Sequence, residues 1–139
     1  MKALITISGV QGIVGTDDDE IELITDGIYS RTDDGFKLSY LESEITGLAG
    51  TRTTVEIKPD GVCVERKGTL NTRMVFREGE KSSFLYDTQF GSATLELDTR
   101  KINARLDDKG GELSIDYVLN MEHAVVSQNR LSMSVKPRS

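Results

Sequence analysis

The sequence predicts an all-β protein: a single antiparallel sheet of about ten strands, wound as a meander and closed into a barrel. Three observations predict it. Apolar and polar residues alternate almost from end to end of the 139 residues, the period of a strand with one buried face. No stretch sustains apolar positions at i, i+3, i+4 and i+7 over a dozen residues, so no helix is expected. Tight-turn chemistry separates the alternating runs, which makes consecutive strands neighbours in space.

The elements follow in order. MKALITISGV alternates Ile5 and Ile7 with Thr6 and Ser8 and reads as the first strand. It is too short to span a bilayer and lacks a small-residue cleavage site. GVQGIVG, Gly9 to Gly15, reads as a strand-end loop. A phosphate cradle would need a following Lys-Ser/Thr and a helix start. TDDDE, Thr16 to Glu20, reads as a solvated acidic loop without calcium-loop spacing. Ile21 and Leu23 begin the next strand, and TDDG, Thr32 to Gly35, turns it.

Phe36, Leu38 and Tyr40 alternate with Lys37 and Ser39, and the longer segment Ser43 to Thr53 interrupts the rhythm as a loop. Val55 and Ile57 pass through KPDG, Lys58 to Gly61, into Val62 and Val64. In that turn Pro pre-sets one position and Asp-Gly supplies positive φ. Met74 and Phe76 pass through REGEK, Arg77 to Lys81, into Phe84 and Tyr86. Leu95, Leu97 and Thr99 hold odd parity, whereas Ile102, Ala104 and Leu106 hold even parity. A turn or bulge near Asp98 to Lys101 must absorb that offset. DDKGG, Asp107 to Gly111, turns into Leu113 to Leu119, then comes Leu131 to Val135, and Pro137 stops the last strand.

A ten-strand meander leaves two bare edges unless it closes, and no helix is available to cover an open sheet. A two-sheet sandwich is the competing solution. The length suits one domain, residues 1–139. Cys63 is the single cysteine, so no internal disulfide forms, which fits a reducing, cytoplasmic setting. The net charge is −6 with acids and bases interspersed. Without a basic face, neither nucleic acid nor an anionic membrane is an expected partner.

The expected inner face is not wholly apolar. Its parity brings in Tyr40 and Glu42, then Thr53, Arg66, Tyr86 and Thr88, Thr99 and Tyr117. A buried carboxylate must be paired or neutralised. Arg66 is the one inward cation that this register supplies, and its planar fork suits a carboxylate. A Glu42–Arg66 contact is therefore predicted, with phenols donating to the remaining carboxylate lone pairs. Such a network can plug the barrel and fix register, or orient a small polar-headed ligand in the lumen. The candidate ligand-binding set is Tyr40, Glu42, Thr53, Arg66, Tyr86, Thr88 and Tyr117. No catalytic or metal set stands out, and no cofactor is expected. His123 reads as a surface residue and Cys63 as an inert thiol, because one His and one distant Cys do not make a metal site. An enzyme would rest on Glu42 as acid or base, with Arg66 and a tyrosine stabilising an oxyanion.

DGIY, FKLSYLESEITG, TRTTVEI, VERKGTLNTRMVF, FLYDTQFGSATLEL and GGELSIDYVL together resemble the YwiB-like family of bacterial proteins. The most specific pieces are Tyr-x-Glu at Tyr40 to Glu42, Arg-x-Gly at Arg66 to Gly68 and Tyr-x-Thr-x-x-Gly at Tyr86 to Gly91. The Gly-Gly-x-Leu-x-Ile-x-Tyr run from Gly110 to Tyr117 adds to them. The resemblance implies a closed calycin-type barrel, lipocalin-like in shape, from a bacterium and in the cytoplasm. It implies no established activity. The leading expectation is a non-catalytic barrel with a small ligand inside, as a monomer or homodimer. The alternatives are a filled structural or interaction barrel, or an enzyme built on Glu42.

Overall fold

The computed structural model of the protein describes residues 1–13, 19–46, 48–122 and 124–138. Ten strands run in chain order: β1 (Lys2–Ile13), β2 (Asp19–Arg31), β3 (Phe36–Leu41), β4 (Arg52–Lys58), β5 (Gly61–Lys67), β6 (Leu70–Phe76), β7 (Lys81–Thr88), β8 (Gly91–Asp107), β9 (Gly110–Met121) and β10 (Ala124–Pro137). All pair antiparallel with their sequence neighbours, and β1 pairs with β10 to close the barrel. The other element is one turn of 3-10 helix, Glu44–Thr46, in the β3–β4 connection. Closure, rather than a sandwich, satisfies both edges of the meander.

The alternating pattern builds the wall. Leu38, Val55, Val64 and Met74 lie opposite one another on β3 to β6 in successive pairs of the ladder. All four are buried, as are Ile5, Leu97, Ile115 and Met133 on the other side of the lumen. Aromatic rings join the two sides: Phe76 of β6 meets Tyr117 of β9 edge-on at 5.1 Å between centroids. The parity offset is absorbed where the sequence requires it. The β8–β9 register shifts between Thr99 and Lys101, leaving Arg100 as the extra residue. The β6–β7 turn clasps the bulge, with Gly79 N–H donating to Thr99 O and Thr99 N–H to Glu80 O. A second irregularity, between Val125 and Ser127 on β10, has no counterpart in the sequence expectations.

One end of the barrel is latched. Tyr29 of β2 is 1% exposed and donates its hydroxyl to Asp107 O, at the end of β8, at 2.8 Å. Its ring stacks on Phe36 at 5.5 Å, Arg31 lies 5.1 Å over that ring, and Arg31 Nε pairs with Asp108 at 2.6 Å. At the other end the lumen carries the polar residues described below.

The glycine-rich loop expected over 9–15 is strand as far as Ile13, because β2 and β10 flank it with unbroken ladders. Residues 14–18 and His123 lie outside the described residues. Asp19 and Glu20 of the expected acidic loop begin β2.

Candidate functional site

Ladder register places the polar residues. Tyr40 pairs with Thr53, Thr53 with Arg66, and Arg66 with Thr72, so one inward row crosses β3, β4, β5 and β6. Glu42 lies just beyond the end of β3, where its N–H donates to Thr51 O at 2.8 Å. That bond keeps the chain extended past the strand, so the inward parity of Leu38 and Tyr40 carries on to Glu42. The carboxylate is buried at 8% exposure.

Thr53 Oγ1 donates to Glu42 Oε1 at 2.6 Å, and the Tyr40 phenol shares hydrogen bonds with Thr53 and Glu42. Arg66 Nε stands 3.7 Å from the same carboxylate oxygen. This is an ion pair by distance and too long for a hydrogen bond. Burial pushes the Tyr40 phenol well above its ordinary range, and the Glu42 carboxylate adds to that while Arg66 opposes it. Burial likewise raises Tyr117, with the Arg66 guanidinium pulling the other way. Both phenols therefore stay protonated and available as donors.

Three donors in this end of the lumen are buried without hydrogen-bond partners: Arg66 Nε, Thr72 Oγ1 and Thr99 Oγ1. Thr72 faces Arg66 across the β5–β6 ladder, and Thr99 faces Tyr117 across β8–β9. A fourth buried orphan, Thr32 Oγ1, belongs to the β2–β3 turn at the latched end. Buried hydroxyls are nearly always satisfied in folded proteins, so unpartnered donors on one inner face need an explanation.

Tyr40, Glu42, Thr53, Arg66 and Tyr117 thus share one end of the lumen. Tyr86 and Thr88 do not join them. Tyr86 is 41% exposed, opposite Ala93 near the tip of the β7–β8 hairpin. Thr88 Oγ1 is taken by its own turn, donating to Gly91 O at 3.0 Å and accepting from Phe90 N–H at 3.2 Å. The parity of Tyr86 points inward, but the β7–β8 hairpin reaches past the buried core there. Alternation reports which face a residue occupies, not its height along the barrel. Thr72 was missed because a threonine in a strand reads as an ordinary β-former. Ser127, buried on β10 with its Oγ accepting from Asn129 Nδ2 at 3.0 Å, was hidden by the bulge beside it.

Among the described residues no group of three or more His, Cys, Asp and Glu could hold a metal. Clefts of about 410, 580 and 670 Å³ are lined chiefly by outward-facing residues of the wall rather than by the Glu42–Arg66 group. Cys63 is half-buried, and burial pushes its thiol up, away from the reactive thiolate.

The chain is 30% identical over 101 residues to the protein described as uncharacterised β-barrel protein YwiB of Bacillus subtilis (strain 168), a match covering 73% of this chain and 70% of that protein. The crystal structure of the ywiB protein from Bacillus subtilis superposes with a TM-score of 0.88, covering 99% of this chain and 92% of that one. At 23% identity this likeness speaks for the fold. The family model described as a domain of unknown function, DUF1934, matches residues 5–133, and the chain belongs to that family.

Proposed function

We propose that the protein is a non-catalytic binding barrel that takes a small ligand at the Arg66 end of its lumen. The ligand presents a hydrogen-bond acceptor, such as a carbonyl or carboxylate oxygen, to the donors there. The observation that carries this reading is the set of unpartnered buried donors, Arg66 Nε with Thr72 and Thr99 Oγ1. A purely structural network would be expected to pair its own members, because each unsatisfied buried donor costs on the order of 1–3 kcal/mol. An acceptor entering from solvent would recover that cost. Glu42 serves the site by fixing Arg66, with Thr53 and Tyr40 occupying the carboxylate. That arrangement favours binding over proton transfer.

Native mass spectrometry of the purified protein, followed by a thermal-shift screen of small carbonyl and carboxylate compounds, tests this. A retained mass above 15.3 kDa, or a saturable stabilisation lost in Thr72→Val and Thr99→Val, is the expected result. Bare protein with no stabilising compound would overturn the reading.

A second reading is favoured by the placement of the clefts. With a filled lumen, the outer wall would be the working surface, and the cleft of about 580 Å³ bordered by Thr6, Ser8, Ser114, Ser132 and Ser134 is outward-facing. Under that reading the Thr→Val variants would stabilise the fold and leave every binding property intact.

A further inference from the structure

The outer wall of β1 to β4 carries a cleft of about 670 Å³ that joins bare apolar side chains to a basic rim. Its apolar floor is Ile28 and Leu41, exposed by 51% and 57%. Both point outward because Tyr29 and Tyr40, their chain neighbours, point in. Two more bare apolar residues, Ile24 at 59% and Ile45 at 66%, lie on β2 and the adjoining 3-10 turn. Side chains of this kind, bare and grouped within a polar rim, mark interaction surfaces on soluble proteins.

The rim is basic. Lys2, Arg52 and Arg138 line the cleft against a single carboxylate, Asp26. Asp26 is engaged by Arg138 at 3.0 Å. Arg52 donates to the neutral Ser39 hydroxyl at 2.9 Å. Among the described residues, Lys2 and Arg52 have no carboxylate partner. Three cations less one anion leave a surplus of two positive charges here, in a chain whose net charge is −6.

We propose that this cleft docks an acidic segment of a partner protein, one that sets an apolar side chain between Ile28 and Leu41 and carboxylates against Lys2 and Arg52. Charge complementarity selects the occupant. A second copy meeting through the same face would bring its own two surplus cations against these two, so an isologous contact is disfavoured. Strand addition is closed to the partner at the floor of the cleft, because Ile28 pairs with Lys2 on one side and with Ser39 on the other. Recognition therefore runs through side chains.

The probes are two synthetic peptides with the same leucine and phenylalanine anchors, one spaced by Asp and Glu and the other by Lys and Arg, followed by fluorescence anisotropy at low salt. The acidic peptide binds saturably, and raising the salt to about 0.5 M weakens it at least several-fold as screening shortens the reach of the charges. Arg52→Glu and Ile28→Asp each weaken it about tenfold or more with the unfolding midpoint preserved, both sites being exposed. Equal affinity for the two peptides, no binding of the acidic one, or binding unmoved by Arg52→Glu would overturn the proposal. So would a dimer in sedimentation that Ile28→Asp dissolves, which would assign the face to a second copy.

Discussion

Arg66 Nε and Glu42 Oε1 stand 3.7 Å apart in the end of the lumen, joined by charge but not by a hydrogen bond. The carboxylate instead takes the Thr53 hydroxyl at 2.6 Å. The pair is asymmetric: the acid is anchored by the wall, while the guanidinium keeps donors in reserve.

Breaking this pair on one side should be costly. Glu42→Leu leaves a largely buried guanidinium without its counter-charge and is expected to lose about 3–5 kcal/mol. Adding Arg66→Met should recover a good part of that loss, since paired apolar replacements of buried ions are often near neutral. Urea denaturation of the single and double variants measures it. A double variant as unstable as the sum of the singles would show that the two residues do not interact.

The latched end makes a prediction for high pH. Burial, with Asp107 and Asp108 nearby, pushes the Tyr29 phenol from 10.0 up to about 12. The folded state holds this proton more tightly than the unfolded chain. Its stabilising contribution is therefore whole below pH 10 and is lost as the pH rises through about 12. Tyrosinate absorbance should appear late and together with unfolding. Tyr29→Phe should cost about 1–2 kcal/mol at neutral pH by removing the bond to Asp107 O. It should also flatten part of the alkaline decline.

Deleting Arg100 should prevent folding, whereas Arg100→Ala should cost less than about 1 kcal/mol. The residue is the extra one in the β8 bulge, and its exposed side chain pairs with Asp98 at 2.9 Å. Deletion turns Ile102 and Leu106 out of the lumen, because a one-residue slip exchanges the faces of a strand. Soluble yield and circular dichroism separate the two outcomes.

Two glycines with positive φ should respond to substitution by very different amounts. Gly111, at φ +141°, has no room: a Cβ there would run into the backbone carbonyl oxygen of Arg105. Gly111→Ala is expected to cost upwards of about 3 kcal/mol through strain and displaced backbone. Gly79, at φ +78°, would place a Cβ in open space, so Gly79→Asn should cost less than about 1 kcal/mol. Thermal unfolding of both variants checks the contrast.

What could be read from residues was what period 2 reports. Parity alone placed Glu42, Thr53 and Arg66 on one inner face, and a slip in parity called for a turn or bulge near Asp98 to Lys101, which the structure resolves to a bulge at Arg100. The tyrosines show where parity stops being informative. Tyr86 has inward parity but lies near a hairpin tip, and Tyr29 latches the opposite end through a backbone carbonyl at the end of β8. Strand ends and barrel tilt set such heights, and neither is written in alternation. The unpartnered Thr72 and Thr99 hydroxyls were equally illegible, because satisfaction of a donor depends on what stands opposite in space.

The β1–β10 seam has a consequence for synthesis. The ladder from Ala3–Pro137 to Ile13–Ser127 cannot form until β10 has been made, and residues 14–123 intervene. At about 5–20 residues per second, that leaves a nascent chain waiting on the order of 5–20 s with the free side of β1 unzipped on the ribosome. A stalled or shortened product that lacks β10 would carry two sticky borders, β1 and β9, each able to recruit another chain.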